Sequence, residues 1–121
     1  MTIRKAIKED VSKIVELLAH DELGRKRENF QIPLPPEYME AFEVIDADEN
    51  QELMVVEDEK SEIIGTMQLT FVQYMSYCGG LRAQIESVHL KESHRGMGIG
   101  KKMFEWTIKR AKSTFTTVNF R

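Results

Sequence analysis

Apolar residues recur along this chain with two different periods, and the points where the period changes divide it into elements. Thr2 to Ile7 is short and partly β-branched and predicts a first strand, running into Lys8-Glu9-Asp10. Val11, Ile14, Leu17 and Leu18 then keep the three- and four-residue spacing of one helical face, with Gly24 as its stop. Arg25-Lys26-Arg27-Glu28 predicts a charged loop, and Pro33-Leu34-Pro35-Pro36 forbids regular helix. Pro36 suits the first position of a second helix, for which Tyr38, Ala41, Phe42 and Ile45 supply the apolar stripe.

From Leu53 the period shortens. Leu53 to Val56 is a compact apolar strand, Glu57 to Glu62 a polar reversal, and Ile63 to Phe71 the returning arm of a hairpin. In that arm Gly65, Met67, Leu69 and Phe71 share one face while Thr66, Gln68 and Thr70 share the other, as in a half-buried antiparallel strand. Cys78-Gly79-Gly80 is the next turn and Arg82 to Leu90 the next strand. A helix from Lys101 to about Ser113 follows, its buried face predicted as Met103, Phe104, Thr107, Ile108 and Ala111. Thr116 to Phe120 consists of strand formers and predicts a fifth strand.

Between the strand ending near Leu90 and the helix beginning near Lys101 lies Arg95-Gly96-Met97-Gly98-Ile99-Gly100. Glycine permits positive φ and removes the Cβ from a ligand's path, and the first N–H groups of the next helix have no intrahelical partner. With the helix dipole added, the stretch is suited to cradle a phosphate group. It is neither of two other glycine loops. A nucleotide P-loop would need Gly where Arg95 stands and Ser or Thr where Lys102 stands. The dinucleotide pattern would need Gly where Lys101 stands.

The spacing that fits is R/Q-x-x-G-x-G/A, filled by Arg95, Gly98 and Gly100, and here the chain resembles the GNAT superfamily of acetyl-CoA-dependent N-acetyltransferases. Ile85-Glu86-Ser87-Val88-His89-Leu90 is similar to that family's fourth strand and the segment from Lys101 to its third helix. The resemblance implies one α/β (α+β) domain over residues 1–121: a mixed, mainly antiparallel sheet flanked by helices, in the order β-α-α-β-β-β-α-(β). The family's usual C-terminal helix and closing strands have no counterpart before Arg121, so the tyrosine that many relatives use as general acid cannot be assigned.

What the resemblance implies for the site is specific. Acetyl-CoA would be the acetyl donor, with no metal. Val88, His89 and Leu90 would lie along the pantetheine arm, Val88 and Leu90 pairing with it through their main chain, while Arg95, Gly96, Met97, Gly98, Ile99, Gly100 and Lys101 take the pyrophosphate. An attacking amine is protonated at neutral pH, since a lysine-like pKa is about 10.4, so a base is needed. Glu86 is the candidate, with the N–H near Val88 for the developing oxyanion. Glu86 also reads as a solvated strand residue or the partner of a nearby arginine. His89 and His94 lack a third ligand at metal spacing and read as strand or surface histidines; Tyr74, Tyr77 and Cys78 read as packing or exposed residues before a turn.

Composition narrows the class without choosing the activity. At 121 residues, 41% hydrophobic and 31% charged, the chain predicts one soluble domain burying roughly 65% of its unfolded surface. A net charge of −3 argues against a general nucleic-acid surface, although Arg95, Lys101, Lys102, Lys109, Arg110 and Lys112 form a local basic patch. The lone Cys78 excludes an internal disulfide, and no apolar run suggests a signal peptide or membrane span, which predicts a cytoplasmic protein. Three readings stay open: an N-acetyltransferase acting on a small-molecule or peptide amine, its shortened end completed by a second copy in a homodimer or by an unusual compact closure; a catalytically deficient CoA-binding module; and a fragment acting through protein interaction.

Overall fold

A computed structural model describes residues 1–114 and 118–120. Its centre is a five-stranded sheet in the order β1 (Thr2–Lys5), β2 (Gln51–Glu57), β3 (Ile63–Gln73), β4 (Leu81–Leu90), β5 (Val118–Phe120). Neighbours are antiparallel except β4 and β5, which are parallel. A parallel pair needs a crossover, and the long helix α4 (Ile99–Thr114) supplies it. The helices α1 (Val11–Leu18), α2 (Glu22–Arg27) and α3 (Pro36–Ala47) intervene between β1 and β2. Of the predicted fifth strand, Val118 to Phe120 is formed, and Thr116 and Thr117 lie outside the described residues.

Strand alternation sorts the core into two layers. On β2, Leu53 and Val55 face the side of α1 and α3, where Ala6, Val11, Ile14, Val15 and Phe42 complete a cluster. Met54 and Val56 face the other side, against Ile64, Met67 and Met103 of α4. Farther along α4, Ala111 packs on Leu69, Phe71, Leu81 and Ala83. Each large apolar side chain so buried contributes about 1.5–3 kcal/mol, which fixes the direction of α4 and hence where its N-terminus points. Arg110 clamps the far end, its Nε and Nη2 donating to the two carboxylate oxygens of Glu52 at 3.1 and 2.9 Å. It therefore belongs to the scaffold rather than to the basic patch.

Three local expectations change. Residues 22–27 are helical although their sequence has no apolar stripe, because Asp21 caps the turn: its Oδ1 accepts the Gly24 N–H at 2.6 Å. Gly24 is not a stop but a close approach, since a Cβ there would stand 2.0 Å from the Leu18 carbonyl oxygen. On α4, which starts two residues earlier than expected, the buried stripe runs through Ile99, Met103, Trp106, Thr107 and Ala111, leaving Phe104 51% exposed, because packing on β2 and β3 sets the rotation of the helix.

One polar group is buried near the N-terminus. Asp10 accepts from Arg4 Nη1 at 2.7 Å, Arg4 Nη2 at 3.0 Å and the Ile7 N–H at 2.8 Å, while Arg4 Nε reaches Glu57 at 2.7 Å. Burial works to raise the Asp10 pKa, but the bonds from Arg4 and Ile7 outweigh it and hold the carboxyl below the ordinary aspartate value. The triad ties β1, β2 and the turn into α1 together.

Candidate functional site

The chain leaves β4 through a short 3₁₀ turn, Glu92–His94, and enters α4 across the glycines. Gly96 and Gly98 both take φ of 77°, so their backbone alone requires glycine. Gly100 does not: it sits in ordinary helical backbone, and a Cβ there, as at Gly96 and Gly98, would meet no protein atom within 4 Å. Nothing within the chain calls for its missing side chain, so the space is suited to something that approaches the backbone from outside.

The amides point the same way. Lys102 is the first residue of the turn to close a helical bond, onto the Gly98 carbonyl at 3.2 Å, and among the described residues the N–H groups from Gly96 to Lys101 find no acceptor in the chain. Arg95 donates from Nε to the Leu90 carbonyl at 3.3 Å, which holds its guanidinium beside this cluster. Lys101 is exposed and only loosely paired, 4.0 Å from Glu105. Several unpaired N–H groups, a helix N-terminus and two exposed cations fit a diphosphate without any metal.

Upstream, β4 carries a bulge. Thr66 pairs with His89 and Gln68 with Glu86, so Met67 alone faces both Ser87 and Val88, and Ser87 takes φ of 53°. The extra residue has a consequence for side-chain direction. In a regular strand, positions three apart face opposite sides; here Glu86 and His89 face the same side, that of α1 and α2. Leu90 turns to the other side and packs with Met54 and Met67. Beside the bulge the sheet opens: β5 pairs only with Leu81, Arg82 and Ala83, so among the described residues β4 has no strand neighbour on that edge from Gln84 to Leu90. Val88 is half exposed there.

Glu86 itself is exposed and makes no ion pair among the described residues, so the arginine-partner reading is not realised. His89 is half-buried. Burial lowers its pKa below the ordinary histidine value, the charges of Arg27 and Arg95 add to this, and Asp21 and Glu28 offset only part, which leaves the ring neutral at pH 7. Glu28 in turn accepts from the Tyr38 hydroxyl at 2.9 Å, and that hydroxyl accepts the Asn29 N–H at 2.8 Å. Next to this network a groove of about 520 Å³ is lined by Glu16, His20, Arg25, Glu28, Asn29 and Phe30. The residues of α2 and the loop after it therefore border the same side as Glu86.

The sequence places the glycine loop between β4 and α4 but does not show that His89 and Glu86 share a face, because a bulge is set by pairing with another strand. Among the described residues, no group of three or more His, Cys, Asp or Glu is placed to hold a metal ion, and no helix is long and apolar enough to cross a membrane.

Comparison with known proteins agrees with this geometry. Residues 15–119 match the acetyltransferase (GNAT) family model. A transcriptional regulator from Bacillus halodurans C-125 is 42% identical, with a TM-score of 0.90 over 99% of this chain and 80% of its own. Glucosamine-6-phosphate N-acetyltransferase from Arabidopsis thaliana is 24% identical, with a TM-score of 0.76 over 99% of this chain and 80% of its own. A predicted acetyltransferase with acetyl-CoA from Clostridium acetobutylicum is 21% identical, with a TM-score of 0.71 over 99% of this chain and 79% of its own. No curated protein matches the chain.

Proposed function

The chain belongs to the GNAT acetyltransferase family, and from that premise we propose that it moves an acetyl group from acetyl-CoA to a primary amine by direct attack. One observation carries the proposal: among the described residues, the amides from Gly96 to Lys101 are unpaired and lie at the end of a strand whose outer edge is open from Gln84 to Leu90. Acetyl-CoA supplies an activated thioester. The amides, with Arg95 and Lys101, hold its diphosphate, and the open main chain of Val88 and Leu90 holds the pantetheine arm as a short added strand would be held. His89 lies between those two and packs the opposite side.

The bulge then sets the chemistry. It leaves Ser87 and Val88 sharing Met67 as their partner on β3, which suits the Val88 N–H to stabilising charge that develops on the acyl oxygen. Glu86 accepts the proton from the incoming amine, directly or through one water, as the new N–C bond forms and the C–S bond breaks, and the departing CoA thiolate takes its proton from solvent. Neutral His89 lies on the same face and adds no positive charge to repel an ammonium group. The acceptor is a small-molecule or peptide amine entering past α2.

Calorimetric titration with CoA, followed by thiol release from acetyl-CoA over a panel of amines, tests the proposal. Saturable CoA binding with amine-dependent thiol release is expected. Binding without release for any amine would leave only a CoA-binding module, and no binding would remove the proposal.

A further inference from the structure

On the face that carries Glu86, one cation is met by rings rather than by a carboxylate. Arg82 lies on β4 four residues before Glu86, and strand alternation puts Arg82, Gln84 and Glu86 on one side, opposite α4. Their partners on β3 are Val72, Thr70 and Gln68, and none of these six residues is buried. The guanidinium carbon of Arg82 stands 4.8 Å from the Tyr74 ring centre and 5.4 Å from that of Tyr77. Among the described residues no carboxylate comes within ion-pair distance of it, whereas Arg4, Arg27 and Arg110 are each paired with one.

The turn that presents Tyr77 is built at a conformational cost. Tyr77, Cys78 and Gly79 take φ of 53°, 58° and 72°, three left-handed residues in succession, a backbone that side chains with a Cβ disfavour. The turn is held by Gly79 N–H to Met75 O at 3.0 Å, by Gly80 N–H to Ser76 O at 3.1 Å, and by the Gln73 amide on the Gly79 carbonyl at 2.8 Å. Ring stacking orients a guanidinium while leaving its in-plane N–H donors for an acceptor of the opposite charge. An arginine so held, on the open face of a strand that also carries the candidate base, is arranged to bind an anion.

We propose that Arg82 is the specificity-determining residue for the acceptor, and that the preferred acceptor is an amine bearing a carboxylate or phosphate at its far end; this rests on the transferase reading above. Four residues at about 3.3 Å each separate the Cα atoms of Arg82 and Glu86 by about 13 Å. With the guanidinium held at the Tyr74 and Tyr77 end of the strand, the span suits an extended small molecule or a short peptide whose amine meets Glu86 and whose anion meets the guanidinium. Gln84, midway on the same face, is placed to bond a polar group between the two ends.

The test compares matched pairs in thiol release: aminohexanoate against aminohexanamide for the carboxylate, and aminohexyl phosphate against aminohexanol for the phosphate. The charged member of at least one pair is expected to have a kcat/KM about tenfold or more above its neutral partner, and which pair shows it identifies the anion. In Arg82→Gln that ratio should fall close to one, and in Arg82→Lys it should be partly kept. Equal rates within both pairs, or an undiminished ratio in Arg82→Gln, overturn the proposal. If no amine is acetylated while CoA still binds, the transferase reading fails, and the anion site is judged on the CoA-loaded wild-type chain by titration with inorganic phosphate and acetate. Saturable shifts of the Arg82 Nε–H and the Tyr74 and Tyr77 ring signals support the site, and unmoved signals overturn it.

Discussion

Replacing Gly100 with leucine, a helix former close to alanine but larger than the glycine or alanine that this place in the motif admits, should move stability and CoA affinity in opposite directions. A glycine in helical backbone costs about 0.5–1 kcal/mol relative to alanine, and a Cβ at residue 100 meets no protein atom within 4 Å. The ligand-free variant should therefore melt about 2–5 °C higher in a domain of this size. The same side chain, larger than the methyl group the motif admits, would fill the open space beside Gly100 from which the diphosphate reaches the amides. Loss of one hydrogen bond to a charged group is worth about 1.5–3 kcal/mol, or about 10- to 100-fold in the dissociation constant. Thermal unfolding without ligand and calorimetry with CoA measure the two effects separately.

Gly79→Ala provides the contrast. Gly79 takes φ of 72°, also with open space around it, so alanine there should cost about 1–2 kcal/mol and leave CoA binding unchanged. A Gly100→Leu protein that binds CoA as tightly as the wild type would refute the reasoning, because no ligand would then need the space beside the glycine.

Further outcomes follow from other residues. Glu86→Gln should lower kcat by about 10²–10⁴-fold with little change in KM for acetyl-CoA, and should remove the limb of the pH–rate profile that reports the base; an unchanged profile would exclude Glu86. Asp10→Asn should destabilise the fold by about 1.5–3 kcal/mol, since it breaks charge-assisted bonds to Arg4. The Asp10 pKa is depressed in the folded chain, so its contribution is complete above the unfolded value of about 3.9 and disappears as the pH falls through the lower folded value. Acid unfolding of the variant should accordingly be less steep in that range, and identical acid limbs would argue against the triad. Gly24→Ala should cost more than about 2 kcal/mol through the 2.0 Å contact with Leu18, read by chemical denaturation; a neutral result would mean that α2 shifts freely.

Much of the scaffold was legible because it depends on local pattern. The alternation of Met67, Leu69 and Phe71 places them on one face of β3, and the glycine spacing marks the turn into α4. What escaped was non-local. The helicity of residues 22–27 rests on the Asp21 cap and the fit of Gly24 against Leu18, neither visible as periodicity. The choice of Trp106 over Phe104 for the core depends on the rotation of α4, set by contacts with β2 and β3. The bulge at Ser87 and Val88 is defined only by register with Thr66 and Gln68, yet it brings His89 to the face of Glu86. The contact of the Arg82 guanidinium with the Tyr74 and Tyr77 rings joins a loop to a strand and leaves no mark in either segment alone.

The central claim is that the backbone from Gly96 to Lys101 receives the diphosphate of the acetyl carrier. Titrating ¹⁵N-labelled protein with CoA, alongside pantetheine lacking the diphosphate, addresses it directly. CoA should shift the amide signals of residues 96–101 in a saturable way, with Val88 and Leu90 following, while pantetheine moves only the strand. Loop amides unmoved at saturating CoA would contradict the account.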